Sequence, residues 1–200
     1  MSKSDTMSPE MLKILKIFGI GSLVFVLILS FFDGRRANNS GKEASILSIT
    51  DAERIYFKNV RGIYYDLENR RDAKMLIYRL GKRIEEADYP LLNLSILINR
   101  VKDEAYIYVE PSWETNSFSL RVSIAGQTDT LEFVNGDKFA HFEFVNKLYP
   151  FLVENSYFEV LDGSKWVPIL EDEKERDALR IPIKDFYRLI DVTAYGFEKD

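Results

Sequence analysis

The chain has 200 residues, with 27 Lys and Arg against 32 Asp and Glu, 46% hydrophobic residues and no cysteine. This composition suits one packed domain rather than disorder, and it excludes disulfide staples, thiolate metal sites, cysteine nucleophiles and lipid attachment through cysteine. From Asp33 onward, 24 basic against 30 acidic residues leave a net charge of −6 with no basic run, which excludes nucleic acid as a natural partner.

The first element is apolar. Residues 1–11 form a short polar tail, and residues 12–32 are predicted to be a single transmembrane anchor. The uncharged run IFGIGSLVFVLILSFF supplies Ile17, Phe18, Ile20, Leu23, Val24, Phe25, Val26, Leu27, Ile28, Leu29, Phe31 and Phe32 as lipid-facing residues. Sixteen residues span only about 24 Å of a roughly 30 Å core. Counting from Leu12, with the Lys13 and Lys16 ammonium groups snorkelling to the interface, brings the helix to full length. A cleaved signal peptide needs small residues before the cut, whereas this run ends in Ile28-Leu29-Ser30-Phe31-Phe32. Gly19, Gly21 and Ser22 do not make the four-residue repeat of a helix-packing motif. The flanks are nearly balanced in charge. The lysines against a short N-terminal tail favour a cytoplasmic N-terminus, and so an extracytoplasmic domain.

Residues 33–45 (DGRRANNSGKEAS) read as a tether, and residues 46–200 as a soluble α+β domain with a largely antiparallel sheet and two or three helices. Thr50 and Glu53 have capping-box spacing, so a helical turn through Ile55 and Tyr56 is expected, followed by a strand over 62–67. Over 73–87, Ala73, Leu76, Ile77, Leu80, Ile84 and Ala87 recur at helical spacing and favour an amphipathic helix. The run KMLIYRL within it also fits a strand. Strands are expected over 91–101, 105–110, 118–124 and 130–134, as one antiparallel meander.

A helix is expected over about 137–154, with Pro150 as a kink or boundary, then a hairpin of 157–161 and 165–170 turning at Asp162-Gly163. EDEKERD (171–177) reads as a charged loop, 179–183 as a short strand and 184–190 as a last helix.

Chemistry-bearing motifs are scarce. His141 is the single histidine and reads as a surface or packing residue, since it has no second ligand or nucleophile at useful spacing. EDEKERD lacks the glycine and the alternation of a calcium loop, and Asp162-Gly163-Ser164-Lys165 lacks the first glycine of a phosphate loop. Asn38-Asn39-Ser40 and Asn93-Leu94-Ser95 fit the glycosylation triplet. No cofactor or metal is expected. The aromatic content is the remaining feature, and Tyr106, Tyr108 and Trp113 are its candidate interaction surface. The leading expectation is a single-pass, membrane-anchored accessory or assembly protein, whose domain binds another protein near the bilayer and has no chemistry of its own. A tethered binding module for a lipid, peptide or glycan comes second, and a carboxylate-based enzyme third.

Overall fold

The computed structural model describes residues 8–31 and 47–191. The tail before Ser8, Phe32, the tether over 33–45 with Asn38-Asn39-Ser40, and the chain beyond Asp191 lie outside the described residues. Residues 1–39 and 40–200 form two separate units.

In the first unit, α1 runs Pro9–Phe31. Ser8 opens it, accepting the Met11 N–H on its side chain, and Pro9 takes the first helical position, where a missing N–H costs nothing. From Ser8 to Ile28 every side chain is exposed, so no core within this unit covers the apolar surface. By length and composition the helix is able to cross a membrane.

The second unit is α+β, with two antiparallel four-stranded sheets and three helices. The first sheet contains β1 (Tyr65–Arg70), β2 (Met75–Leu80), β3 (Leu92–Asn99) and β4 (Ala105–Pro111), in sequence order. The second contains β5 (Ser117–Ile124), β6 (Gln127–Val134), β7 (Tyr157–Asp162) and β8 (Lys165–Ile169), in the order β6-β5-β7-β8. The expected single meander is therefore divided: the loop after Pro111, through Ser112-Trp113-Glu114-Thr115-Asn116, carries the chain out of one sheet and into the other. Ala125 and Gly126 join β5 to β6 with positive φ at both positions, the geometry a two-residue hairpin requires.

Three helices complete the domain: α2 (Asp51–Tyr56), α3 (Lys138–Val153) and α4 (Glu173–Leu189). Thr50 caps α2 by accepting the Glu53 N–H, as its spacing predicts. Asp137 caps α3, which continues through Pro150 and ends where Asn155 takes a left-handed conformation. Two expectations are corrected at the C-terminal end. EDEKERD is no loop, because Asp172 accepts the Lys174 N–H and opens a helix with Glu173 and Glu175 in its first turn, where the helix dipole favours acids. Residues 179–183 are no strand, because α4 passes unbroken through Pro182. Its apolar stripe Ala178, Leu179, Pro182, Ile183, Phe186 and Leu189 is wholly buried, which outweighs a cost of about 3 kcal/mol for an interior proline.

The expected helix over 73–87 is also corrected. Lys74 turns through positive φ, and Met75–Leu80 is a strand paired with both β1 and β3. A six-residue apolar run satisfies either period, and pairing on both edges decided it.

One core joins the inner faces of both sheets to α3 and α4. Residues opposite one another in register share a face, so Tyr78, Ile96 and Ile107 with Leu94, Ile98 and Val109 form the inner face of the first sheet, all of it buried. Phe118, Leu120, Val122, Phe133, Phe158 and Val160 form that of the second. Phe144 of α3 packs on Phe118 and Phe133, while Phe142 and Tyr149 pack on Phe186 and Tyr187 of α4.

Candidate functional site: the open face of the first sheet

The face of the first sheet turned away from α4 carries Met75, Ile77 and Arg79 of β2, Asn93, Ser95 and Leu97 of β3, and Tyr106, Tyr108 and Glu110 of β4. No described helix lies across it; α3 reaches only its β4 margin. Met75, Ile77, Leu97 and Tyr108 are partly exposed, while Tyr106 is buried.

A ribbon of charge crosses all four strands beside this apolar patch. The Arg79 guanidinium donates two hydrogen bonds to Glu110, both of 2.8 Å, and a third of 2.7 Å to Glu68 on β1. Ser95 Oγ on β3 donates to Glu110 Oε1 at 2.9 Å. The paired fork of Arg and carboxylate is the strongest geometry available to such groups, and it holds the Arg79 pKa above its ordinary value, with Glu110 the main cause. One cation thus engages two carboxylates.

At the β4 margin, buried Glu104 accepts the Tyr106 hydroxyl at 2.5 Å and the Lys138 ammonium at 2.9 Å. Burial alone would raise the Glu104 pKa, but the two hydrogen bonds and the Lys138 charge outweigh it and hold the pKa below its ordinary value. The same environment pushes Tyr106 up to about 12, through burial first and the carboxylate second. Asp72, in the turn after β1, is held down to about 2 by the Arg70 guanidinium. Both carboxylates move in the direction of an ion pair, opposite to what a general acid needs.

His141 seals the edge of β4. Its Nδ1 accepts the Val109 N–H at 3.1 Å, which fixes the proton on Nε2, and Nε2–H faces Asn135 Oδ1 at 3.1 Å. Burial lowers its pKa, with Asp137 acting weakly against the shift. The imidazole is a neutral structural bridge covering an otherwise unpaired strand edge.

The aromatic candidates are arranged unevenly. Tyr106 and Tyr108 share the open face, two residues apart on β4. Trp113 is in the loop after β4, with its ring 5.5 Å from that of Phe118. Continuous ring contacts join the two places, from Tyr108 to His141 at 4.1 Å, then Phe133 at 5.2 Å, Phe118 at 4.9 Å and Trp113. Met75, Ile77, Leu97 and Arg79 complete the face and were not singled out from sequence. For Met75, Ile77 and Arg79 the signal was the alternation in KMLIYRL, which a helical reading of 73–87 hides, and for Leu97 the expected strand over 91–101.

Asn93 of the second glycosylation triplet lies within β3, its amide donating to the Ile84 carbonyl at 2.9 Å. A cleft of about 360 Å³ is lined by Tyr89, Pro168, Ile169, Glu171, Asp172 and Glu175, with the Tyr89 hydroxyl on Glu175 at 2.7 Å. No group of three or more His, Asp or Glu suited to a metal ion occurs among the described residues. Comparison with known proteins gives no counterpart: no family model, no curated protein and no solved structure matches the chain.

Proposed function

We propose that this is a single-pass, membrane-anchored accessory or assembly protein whose domain binds another protein near the bilayer through the open face of its first sheet. The observation that supports it is the chemistry of that face. An antiparallel sheet commonly leaves one face to water, and that face is then polar. Here it presents half-exposed Met75, Ile77, Leu97 and Tyr108, with Glu68 and Glu110 alongside already paired to Arg79. Aromatic residues, methionine and arginine inside a polar rim are what protein interfaces favour. The cleft by Tyr89 carries three carboxylates, Glu171, Asp172 and Glu175, and lies apart from the open face, so the face itself favours assembly over small-ligand binding.

The anchor reading rests on α1 and on the bulky residues that end it, which disfavour cleavage. The short lysine-bearing tail favours a cytoplasmic N-terminus and an extracytoplasmic domain. A tether so short keeps the domain at high effective concentration beside membrane partners, where modest affinity suffices.

Affinity purification of the tagged full-length protein in mild detergent, with mass spectrometry of what stays bound, tests the reading. A stoichiometric protein retained by the wild type and lost with Leu97→Lys supports it. Retention of that protein by Leu97→Lys, or a wild type that purifies alone, counts against it.

A further inference from the structure

A second exposed apolar surface lies where the described domain begins, away from the open sheet face. After α2 the chain widens into a π turn, Phe57–Arg61, and closes with a 3-10 turn, Gly62–Tyr64, before entering β1. The inward side of this segment is pinned. Phe57 packs on Tyr65 and Tyr78 at 5.6 and 5.1 Å, and Arg61 Nε donates to buried Asp185 at 2.7 Å. Its outward side carries Ile55, Val60, Ile63 and Tyr64, and Ile63 is 71% exposed. Because the inner contacts fix the segment, it cannot turn to bury these four side chains.

The charges around them are selective. Arg54 pairs with Asp51 and Asp103, Arg61 with Asp185, and Asp66 with Arg83. Lys58, Lys82 and Arg188 carry no ion pair among the described residues. Lys82 follows Gly81, whose N–H donates to the Tyr64 carbonyl at 2.9 Å, and Arg188 lies over the Tyr56 ring at 3.9 Å. Glu53 is the carboxylate of this segment that stays unmatched. A domain that is acidic as a whole thus groups three unmatched cations about its exposed apolar end.

We propose that this face is a lipid-contact surface, with Ile55, Val60, Ile63 and Tyr64 entering the headgroup region and Lys58, Lys82 and Arg188 meeting lipid phosphates. The proposal rests on the anchor reading above. An apolar stripe edged by cations is the pattern of segments that lie in the membrane interface. The covalent chain supplies the occasion: residues 32–46 reach at most about 50–60 Å when fully extended, and the segment starts only a few residues after they end. A second copy of the chain is a poorer occupant, since a two-fold contact would set the same cations against themselves.

The chain lacks cysteine, so single probe sites are clean. Full-length protein with Phe25→Cys, Ile63→Cys or Ser164→Cys, each bearing an environment-sensitive fluorophore, is reconstituted into nanodiscs containing spin-labelled lipid. Position 25 reports the anchor, and position 164, on the β7–β8 turn, reports the domain away from this segment. Headgroup-labelled lipid is expected to quench position 63 several-fold more than position 164, and more strongly in phosphatidylglycerol than in phosphatidylcholine. Equal quenching at 63 and 164 overturns the proposal. So does a probe at 63 shielded from both lipid and aqueous quenchers, which would mean that protein covers it. If acyl-chain spin labels fail to quench position 25, the anchor reading itself falls, separately from a failure at 63 alone.

Discussion

The two sheets have inner faces of one kind and outer faces of two kinds. Inside, both present buried aliphatic and aromatic side chains. Outside, the second sheet shows Ser119, Arg121, Ser123, Thr128, Thr130, Glu132 and Glu159, with exposed Val134, Tyr157 and Leu161 at or near its strand ends. Ser119 donates to Glu132 at 2.8 Å, and Arg121 lies over the Trp166 ring at 3.7 Å, covering it. The first sheet instead sets Ile77, Leu97 and Tyr106 side by side across β2, β3 and β4, with half-exposed Met75 and Tyr108 beside them. Apolar side chains in register across three strands make one patch, whose remaining exposed area is worth about 25 cal/mol per Å² when covered, whereas apolar side chains scattered at strand ends make none. That difference in arrangement is why the proposed partner is assigned to the first sheet and none to the outside of the second.

The comparison is broken most severely from within. Ile107→Ala should destabilise the protein by about 2–5 kcal/mol and Phe158→Ala by about 3–5, since each opens a cavity in the shared core. Chemical unfolding in detergent measures both. If either cost fell below about 1 kcal/mol, the view of two sheets closing on one core would be wrong.

Next comes Asp185, which holds Arg61 and accepts the Tyr65 hydroxyl at 2.7 Å. Removing one partner of a buried pair costs about 3–5 kcal/mol, and the partial exposure of Arg61 places Asp185→Ala near or below the lower end. The same unfolding measurement applies, and Asp185→Asn should recover part of the loss by keeping a hydrogen-bond acceptor.

Acid should loosen the β4 margin in two stages. His141 and Glu104 both have folded pKa values below their ordinary ones, 6.5 and 4.5. In each case the unfolded chain binds the proton more readily, so the contribution is complete above the ordinary value and disappears as pH falls through the folded one. Melting temperature should therefore begin to drop below about pH 6.5 and steepen below about 4.5. His141→Gln should remove the first stage and leave the second.

These residues also show what was legible in the sequence. Helix α3 was readable because Asp137 caps a long periodic segment, and the β7–β8 hairpin because Asp162-Gly163 marks its turn. For His141 the sequence left surface and packing roles open, and its burial against β4 comes from the structure. The open face was only half readable. Tyr106 and Tyr108 announced themselves by alternation, but Met75, Ile77 and Arg79 stand in a run short enough to fit either period, and only pairing across β1 and β3 places them. The division into two sheets was hidden for a related reason, since register between distant strands leaves no local trace. Through Pro182 the opposite error arose: a strong local breaker was overruled by a stripe that buries completely.

The smaller effects on stability carry the most functional weight. Thr130→Lys, at an exposed site, should change stability by less than about 1 kcal/mol, and Leu97→Lys, half-buried against the core, by about 1–3 kcal/mol. Yet only Leu97→Lys should release a co-purifying protein. A partner lost equally with both variants would erase the distinction between the faces.

Oxidative footprinting of Met75 and Tyr108, comparing native membranes with the purified full-length protein, tests that distinction most directly. Both side chains should be modified in the isolated protein and protected in the membrane, while Tyr157 on the second sheet reacts equally in the two. Equal modification of Met75 and Tyr108 in both preparations would mean that nothing covers the open face, and would contradict the account.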